Sequence, residues 1–359
     1  MLVVTDAHIV AAGHAGRARN AVESAGQVVT VYDRVRENPT TEDVEACLAV
    51  AREAKIDTIV GIGGGSSLDT AKGCNFLLTN GGKMSDYWGV GKATKPMLPF
   101  IAIPTTAGTG SECQSFALIA DAQSHTKMAC GDPKAAARVA ILDPTLTVSQ
   151  PRRVTADTGI DALTHAVETA VTRRRSPLSL MFSREAFRMI AQHLPTVFEE
   201  PENLEARGRM MLAAAFAGTA IENSMLGAAH AAANPLTAHF NVVHGQAVGL
   251  MLPAVIRFNA QDADARRLYK SLAVSSRLVG PEAGERDAVA ALLDCVERML
   301  DLAQVPRSLT DFAIPRDCLP TLAAEAATQW TAQFNPRAVA NGEFVKLYER
   351  VLTRPVAAV

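Results

Sequence analysis

The segment LGAAHAAANPLTAHFNVVHGQ (226–246) places His230, His239 and His244, three of the chain's eight histidines, among Ala, Leu and Val. Imidazoles in an apolar stretch have two readings: rings hydrogen-bonded to backbone inside a core, or ligands of a metal. DALTHAVE (161–168) adds Asp161 and His165 four residues apart. On a helix that spacing points both side chains to one place, although such pairs also arise by chance. His230 and His244 are fourteen apart with Pro235 between them. The proline predicts a helix break, so the two rings come from separate segments that a chain reversal can bring together. Asp161, His165, His230 and His244 would then make a set of three nitrogens and one oxygen, suited to Zn²⁺ or Fe²⁺.

Two other segments suit an anionic ligand. GIGGGSSLDTAK (61–72) follows a strand-like run and opens a helix-like one. Glycines there let backbone N–H groups approach a ligand, and a helix N-terminus favours an anion such as a pyrophosphate. The segment is neither a P-loop nor a clean GxGxxG, and a strand-to-helix turn that merely needs glycine is the alternative reading. IPTTAGTGSE (103–112) also follows a strand-like run, and Thr105, Thr106, Thr109 and Ser111 supply hydroxyls able to reach phosphate or ribose. Two such turns at strand C-terminal ends put a nucleotide at the crevice of a parallel sheet. Asp6, at the end of LVVTD (2–6), is placed to accept ribose hydroxyls and to repel a 2′-phosphate, or else is a solvated turn residue.

These residues need elements to carry them. Up to about residue 145, short β-branched runs alternate with helical stretches: strands near 2–6, 28–33, 57–65 and 99–106, helices near 11–26, 40–55 and 66–78, with 127–131 and 139–144 as further strands. Such repetition predicts a parallel sheet covered on both faces. After about residue 150, apolar positions recur at helical spacing, as in 181–194, 206–221 and 287–303. The expected fold is an α/β dinucleotide-binding domain over 1–148 followed by an all-α metal-binding domain over 149–359, with a cleft between them.

Bulk composition narrows the function. The net charge is −2 with 20% charged residues, which leaves no basic field for nucleic acid or an anionic membrane. No apolar run reaches the length of a membrane span, and MLVVTDAHIV lacks the pattern of a secretion signal. Six scattered cysteines without a CxxC pair suggest reduced thiols in the cytoplasm.

Taken in order, LVVTD, GIGGGSSLDTAK, IPTTAGTGSE, DPTL (143–146), GIDALTHAVE (159–168), the 230–244 histidines and FNPR (334–337) resemble the group III iron-containing alcohol dehydrogenases, relatives of dehydroquinate synthase and glycerol dehydrogenase. The resemblance implies one divalent metal, iron before zinc, held by Asp161, His165, His230 and His244. It implies NAD on Gly63, Gly64, Gly65 and Ser66, with Asp6 selecting NAD over NADP. Thr105, Thr106, Thr109, Ser111 and Lys127, together with Asp69 and Leu146 in the matching segments, complete the cofactor candidates. The implied reaction is hydride transfer between nicotinamide and a small alcohol or carbonyl whose oxygen faces the metal. A homodimer or higher homo-oligomer is implied as well.

Two departures stand out. Many relatives carry a third histidine four residues after the first downstream ligand. Here that residue is Asn234, which does not titrate near neutral pH. Proton delivery then falls to another group, to water or to His239. Relatives also have some two dozen residues before the first nucleotide-binding strand; either the start is misassigned or the sheet lacks an edge element, and the second case would leave Asp6 near a frayed terminus. Other readings are a maleylacetate-reductase-like enzyme without metal, a dehydroquinate-synthase-like lyase, and a non-enzymatic nucleotide-binding protein.

Overall fold

The computed structural model describes residues 1–124 and 126–353. The chain divides into two compact units, Met1–Ser149 and the residues from Gln150 on. In the first, β1 (Leu2–Val4), α1 (Ala7–Ala11), α2 (His14–Ser24), β2 (Thr30–Tyr32), α3 (Thr41–Glu53), β3 (Ile59–Gly63), α4 (Gly65–Asn80), β4 (Gly89–Val90), β5 (Phe100–Pro104), β6 (Phe116–Ala120), β7 (Lys127–Gly131) and β8 (Val139–Ala140) follow in order. Five of the strands form a parallel sheet in the order β2-β1-β3-β5-β8. Strand alternation divides its side chains between two cores. Leu2, Val4, Ile59, Phe100 and Ala102 pack with Val44, Leu48, Leu68 and Leu77 of α3 and α4. Val3, Val60 and Ile62 pack on the other side with Ile9 and Ala18. This two-sided burial explains why IVGIG is apolar without alternation.

The structure corrects several expectations. The helix expected over 11–26 starts at Ala7 and is broken at Gly13, whose φ of 80° is left-handed. KMACG does not extend the parallel sheet. It pairs antiparallel with FALIA (β6), which its sequence had not marked as a strand, in a separate sheet of order β4-β7-β6. Residues 121–126 between them are too few for a parallel crossover, which takes about a dozen. β1 is not a frayed edge. It is hydrogen-bonded to β2 on one side and β3 on the other, and its side chains are fully buried.

Among the described residues of the second unit every regular element is helical, and the α-helices are α5 (Arg152–Thr169), α6 (Pro177–Glu199), α7 (Leu204–Ser224), α8 (Ala228–Phe240), α9 (His244–Asn259), α10 (Ala263–Ser275), α11 (Glu285–Leu302), α12 (Leu319–Thr328) and α13 (Asn341–Arg350). α5 is buried over almost all of its last three turns and packs against α6, α7 and α9. Pro235 does not end a helix, because α8 runs through it to Phe240. The reversal comes at Asn241, which adopts a left-handed φ of 52°, a conformation asparagine tolerates. α9 then begins at His244. Among the described residues no helix is long and apolar enough to cross a membrane.

Candidate metal centre

Three helices deliver the four expected donors. α5 carries Asp161 and His165 one turn apart, His230 lies in the first turn of α8, and His244 opens α9. Asp161 Oδ1 is their common neighbour. It lies 3.2 Å from His165 Nε2, 3.5 Å from His230 Nε2 and 3.7 Å from His244 Nε2. The His165 and His230 rings stack with centroids 4.8 Å apart. Asp161, His230 and His244 each offer one ligand atom within 4.8 Å of the others. Close approach of α9 to α5 is what brings His244 in. A Cβ on Gly245 would meet the Asp157 carbonyl oxygen at 2.0 Å, so only glycine fits there.

These spacings fit a cation. Metal–ligand bonds of about 2.0–2.1 Å in a tetrahedral shell set donors about 3.4 Å apart. Asp161 Oδ1 and His230 Nε2 are buried with no hydrogen-bond partner among the described residues, an arrangement that costs free energy unless something polar or charged joins them. Electrostatics agree. Burial alone would raise the Asp161 pKa, yet His165, His230 and His244 more than reverse this and hold it well below the usual carboxylate range. Burial works against a charged His230 ring, but the carboxylates of Asp161 and Glu168 outweigh it and push its pKa up to about 9. The cluster thus attracts positive charge, and a divalent ion can take the place of protons there. Three members are almost fully buried, whereas the His244 side chain is 28% exposed, so the cluster is most accessible on that side.

The two catalytic candidates sit differently. Asn234 lies one turn beyond His230 on α8, and its amide donates to Gln329 Oε1 at 2.9 Å. His239 is exposed, and its Nε2 lies 2.8 Å from Glu325 Oε2 in a surface pair. Glu168, which the sequence did not single out, lies against His230 Nδ1 at 2.6 Å.

In the first unit, the structure brings the two glycine- and threonine-rich turns together. α4 starts at Gly65, with Gly64 as an N-cap that contributes no side-chain bond, so the first N–H groups of a sixteen-residue helix are left to other partners. A Cβ on Gly65 would meet Thr109 Cγ2 at 2.8 Å, and one on Gly64 would meet Thr106 Cγ2 at 3.4 Å. Thr105 is buried, and its amide donates to the Gly63 carbonyl at 2.9 Å. Asp6 caps α1 with Oδ1, accepting from His8 N and Ile9 N, while Oδ2 accepts from Ser67 Oγ at 3.4 Å beside Gly63. Ser66 Oγ accepts from Asn38 N. Leu146 is buried in a short turn, and Lys127 is exposed at the start of β7.

Asp69 and Ser111 face each other under these turns. Ser111 Oγ donates to Asp69 Oδ1 at 2.7 Å, and Leu118 N donates to Asp69 Oδ2. Buried Lys72 donates to the Ser111 carbonyl at 2.6 Å and to Phe116 O at 2.9 Å. This network ties α4 to the second turn and holds both in register. Beside it lies Glu112, whose pKa burial pushes up from 4.5 to about 7, with its own backbone amide and Lys72 offsetting part of the rise. A carboxyl whose folded pKa is raised stabilises the protein most below its unfolded pKa, and that stability is lost as pH rises through the folded value. Between pH 4.5 and about 7, wild type is therefore expected to lose about 3 kcal/mol that Glu112→Gln retains. Urea unfolding of both proteins at either end of that range checks this, and parallel curves for the two would refute it.

The sequence comparisons fall on this arrangement. Residues 1–144 match the family described as iron-containing alcohol dehydrogenase, and residues 155–352 match its C-terminal domain. NAD-dependent methanol dehydrogenase of Bacillus methanolicus is 32% identical over 98% of this chain and 92% of its own length. Long-chain-alcohol dehydrogenase 1 of Geobacillus thermodenitrificans is 35% identical over 92% of this chain and 83% of its own. Among solved structures, an alcohol dehydrogenase from Oenococcus oeni superposes with a TM-score of 0.94 at 28% identity, covering 98% of this chain and 91% of that one. The chain belongs to the iron-containing alcohol dehydrogenase family. A parallel-sheet α/β unit and a helical C-terminal unit, as expected, are the fold of that family.

Proposed function

We propose that this chain is a metal-dependent, NAD(H)-linked alcohol dehydrogenase working on a small alcohol or its carbonyl product, with Asp161, His165, His230 and His244 holding one divalent ion. The observation that carries this is the convergence of three imidazole Nε2 atoms on Asp161 Oδ1. When bound, the ion supplies Lewis acidity that stabilises negative charge on the substrate oxygen. The chain's own residues do the remaining work. Asp161 would provide the anionic donor, and buried His165 and His230 would shield an ion from water on their side, where electrostatic interactions are strong. The Gly63–Ser66 turn and the N-terminus of α4 receive the dinucleotide pyrophosphate, with Thr106 and Thr109 packed beside them. Asp6, adjacent to Gly63, faces the ribose hydroxyls and disfavours a 2′-phosphate.

With an amide at position 234, the proton has no imidazole one turn from His230 to travel through. Exposed His239 is engaged by Glu325, so we assign proton exit to solvent on the open His244 side. A metal-free reductase on the same fold is disfavoured by the complete donor set. The relatives' names run from methanol to long-chain alcohols, so the alcohol is left to a substrate panel. The proposal includes a cytoplasmic location and a homodimer, the latter checked by light scattering.

The direct test is anaerobic purification, quantification of Fe and Zn, and an NADH assay over primary alcohols and diols before and after chelation. About one ion per chain is expected, with NADH formation that chelation removes and added Fe²⁺ restores. A fully chelated protein that keeps its rate would sink the metal-dependent reading.

A further inference from the structure

Glu168 follows Asp161 and His165 at i+7 and i+3 on α5, so all three share one helix face. Its carboxylate is almost fully buried and divides its oxygens between two atoms of α8. Oε1 accepts from Ala229 N at 2.7 Å, and Oε2 lies 2.6 Å from His230 Nδ1. A carboxylate oxygen accepts, so the ring nitrogen donates. With hydrogen on Nδ1, Nε2 is the ring atom left to face Asp161. The preceding amide, Ala228 N, donates instead to Asn335 Oδ1 of FNPR at 3.3 Å. Asn335 is fixed by a reciprocal amide pair with Asn259, at 2.8 and 3.1 Å. Gly227, the N-cap of α8, offers no side-chain cap of its own. Two buried side chains from elsewhere in the unit therefore hold the first turn of α8, and only Glu168 also holds the ring.

We infer that Glu168 is a positioning residue for the metal: it locks the tautomer and orientation of His230, while Asn335 anchors only the backbone of α8. This rests on the metal-centre reading above. Glu168→Gln is nearly isosteric but has one accepting oxygen. If that oxygen serves Ala229 N–H, the amide NH₂ faces Nδ1 and favours the tautomer with hydrogen on Nε2, pointing toward Asp161. If it serves Nδ1–H, the Ala229 amide loses its acceptor.

The test is a titration of the metal-free protein with Co²⁺, followed by the visible ligand-field absorption of the bound ion. Glu168→Gln is expected to bind Co²⁺ about 10–100-fold more weakly than wild type, without the loss of helical circular dichroism that would signal unfolding. Asn335→Ala, which removes a cap but leaves the ring contact, is expected to melt at a lower temperature and to keep near wild-type Co²⁺ affinity. Equal Co²⁺ affinities in wild type and Glu168→Gln would overturn the inference. Wild type that fails to bind Co²⁺ would instead overturn the metal-centre reading beneath it. Should Glu168→Gln not fold, ¹⁵N-histidine spectra of zinc-loaded wild type decide. A slowly exchanging Nδ1–H on His230 supports the inference, and its absence refutes it.

Discussion

Asp161→Asn is expected to strip the protein of its metal and to lower kcat/KM for any alcohol substrate by at least about a thousandfold, which is about 4 kcal/mol of transition-state stabilisation. Asp161 is the only acidic member of the donor set, and its Oδ1 is the atom that all three histidines approach. An asparagine there is neutral, and its NH₂ can only donate toward nitrogens whose lone pairs a cation needs. The loss is therefore electrostatic as well as geometric. His244→Ala is expected to be milder for metal retention. That ring is the most exposed of the four and is the farthest of the three from Oδ1, so two nitrogens and the carboxylate would still grip an ion weakly. Elemental analysis of both variants, with NADH formation followed in parallel, measures the order. A fully metallated Asp161→Asn protein turning over at the wild-type rate would remove the carboxylate from the site.

The donor set was legible because helical spacing is local. Asp161 and His165 four apart on one helix need no tertiary information to be placed together. The pairing of His230 with His244 needed only a chain reversal, although the sequence pointed to the wrong residue for it. Pro235 looked like the break, yet a helix within a packed unit absorbs the loss of one backbone bond, and the turn falls at Asn241. Glu168 escaped notice for a different reason. It reads as an ordinary helical glutamate, and the partner that gives it meaning lies 62 residues downstream. The i, i+4, i+7 face of DALTHAVE was the one available signal. FNPR was recognisable as a motif, but its work as a cap for α8 depends on a buried asparagine pair that no local pattern announces. In the first unit, strand-like runs and glycine turns located the two adjoining turns proposed to receive the nucleotide. The KMACG strand was placed in the wrong sheet because its neighbour FALIA went unread, and strand pairing is a nonlocal property.

Gly65→Val is expected to weaken NADH binding by about a hundredfold, which is about 2.7 kcal/mol, while leaving Co²⁺ binding by the second unit unchanged. The first carbon of any side chain at 65 would stand 2.8 Å from Thr109 Cγ2 and 3.1 Å from its Oγ1. Valine adds two more methyl groups in a position where χ1 is stiff, so no rotamer relieves the contact. The two turns must then separate. Thr109 cannot simply withdraw, because its carbonyl accepts from Gln114 and the adjoining Ser111 is held by Asp69 and Lys72. The displaced element is therefore the start of α4, whose N–H groups are the proposed seat of the pyrophosphate. Gly16→Ala is the control. No heavy atom lies within 4 Å of a Cβ at that position on α2, so NADH affinity should hold and stability should rise by up to about 1 kcal/mol. Fluorescence titration with NADH, paired with Co²⁺ titration of the same samples, reads both sites at once. Wild-type NADH affinity in Gly65→Val would move the dinucleotide away from this turn, and a simultaneous fall in Co²⁺ affinity would show that the substitution had damaged more than the turn it was aimed at.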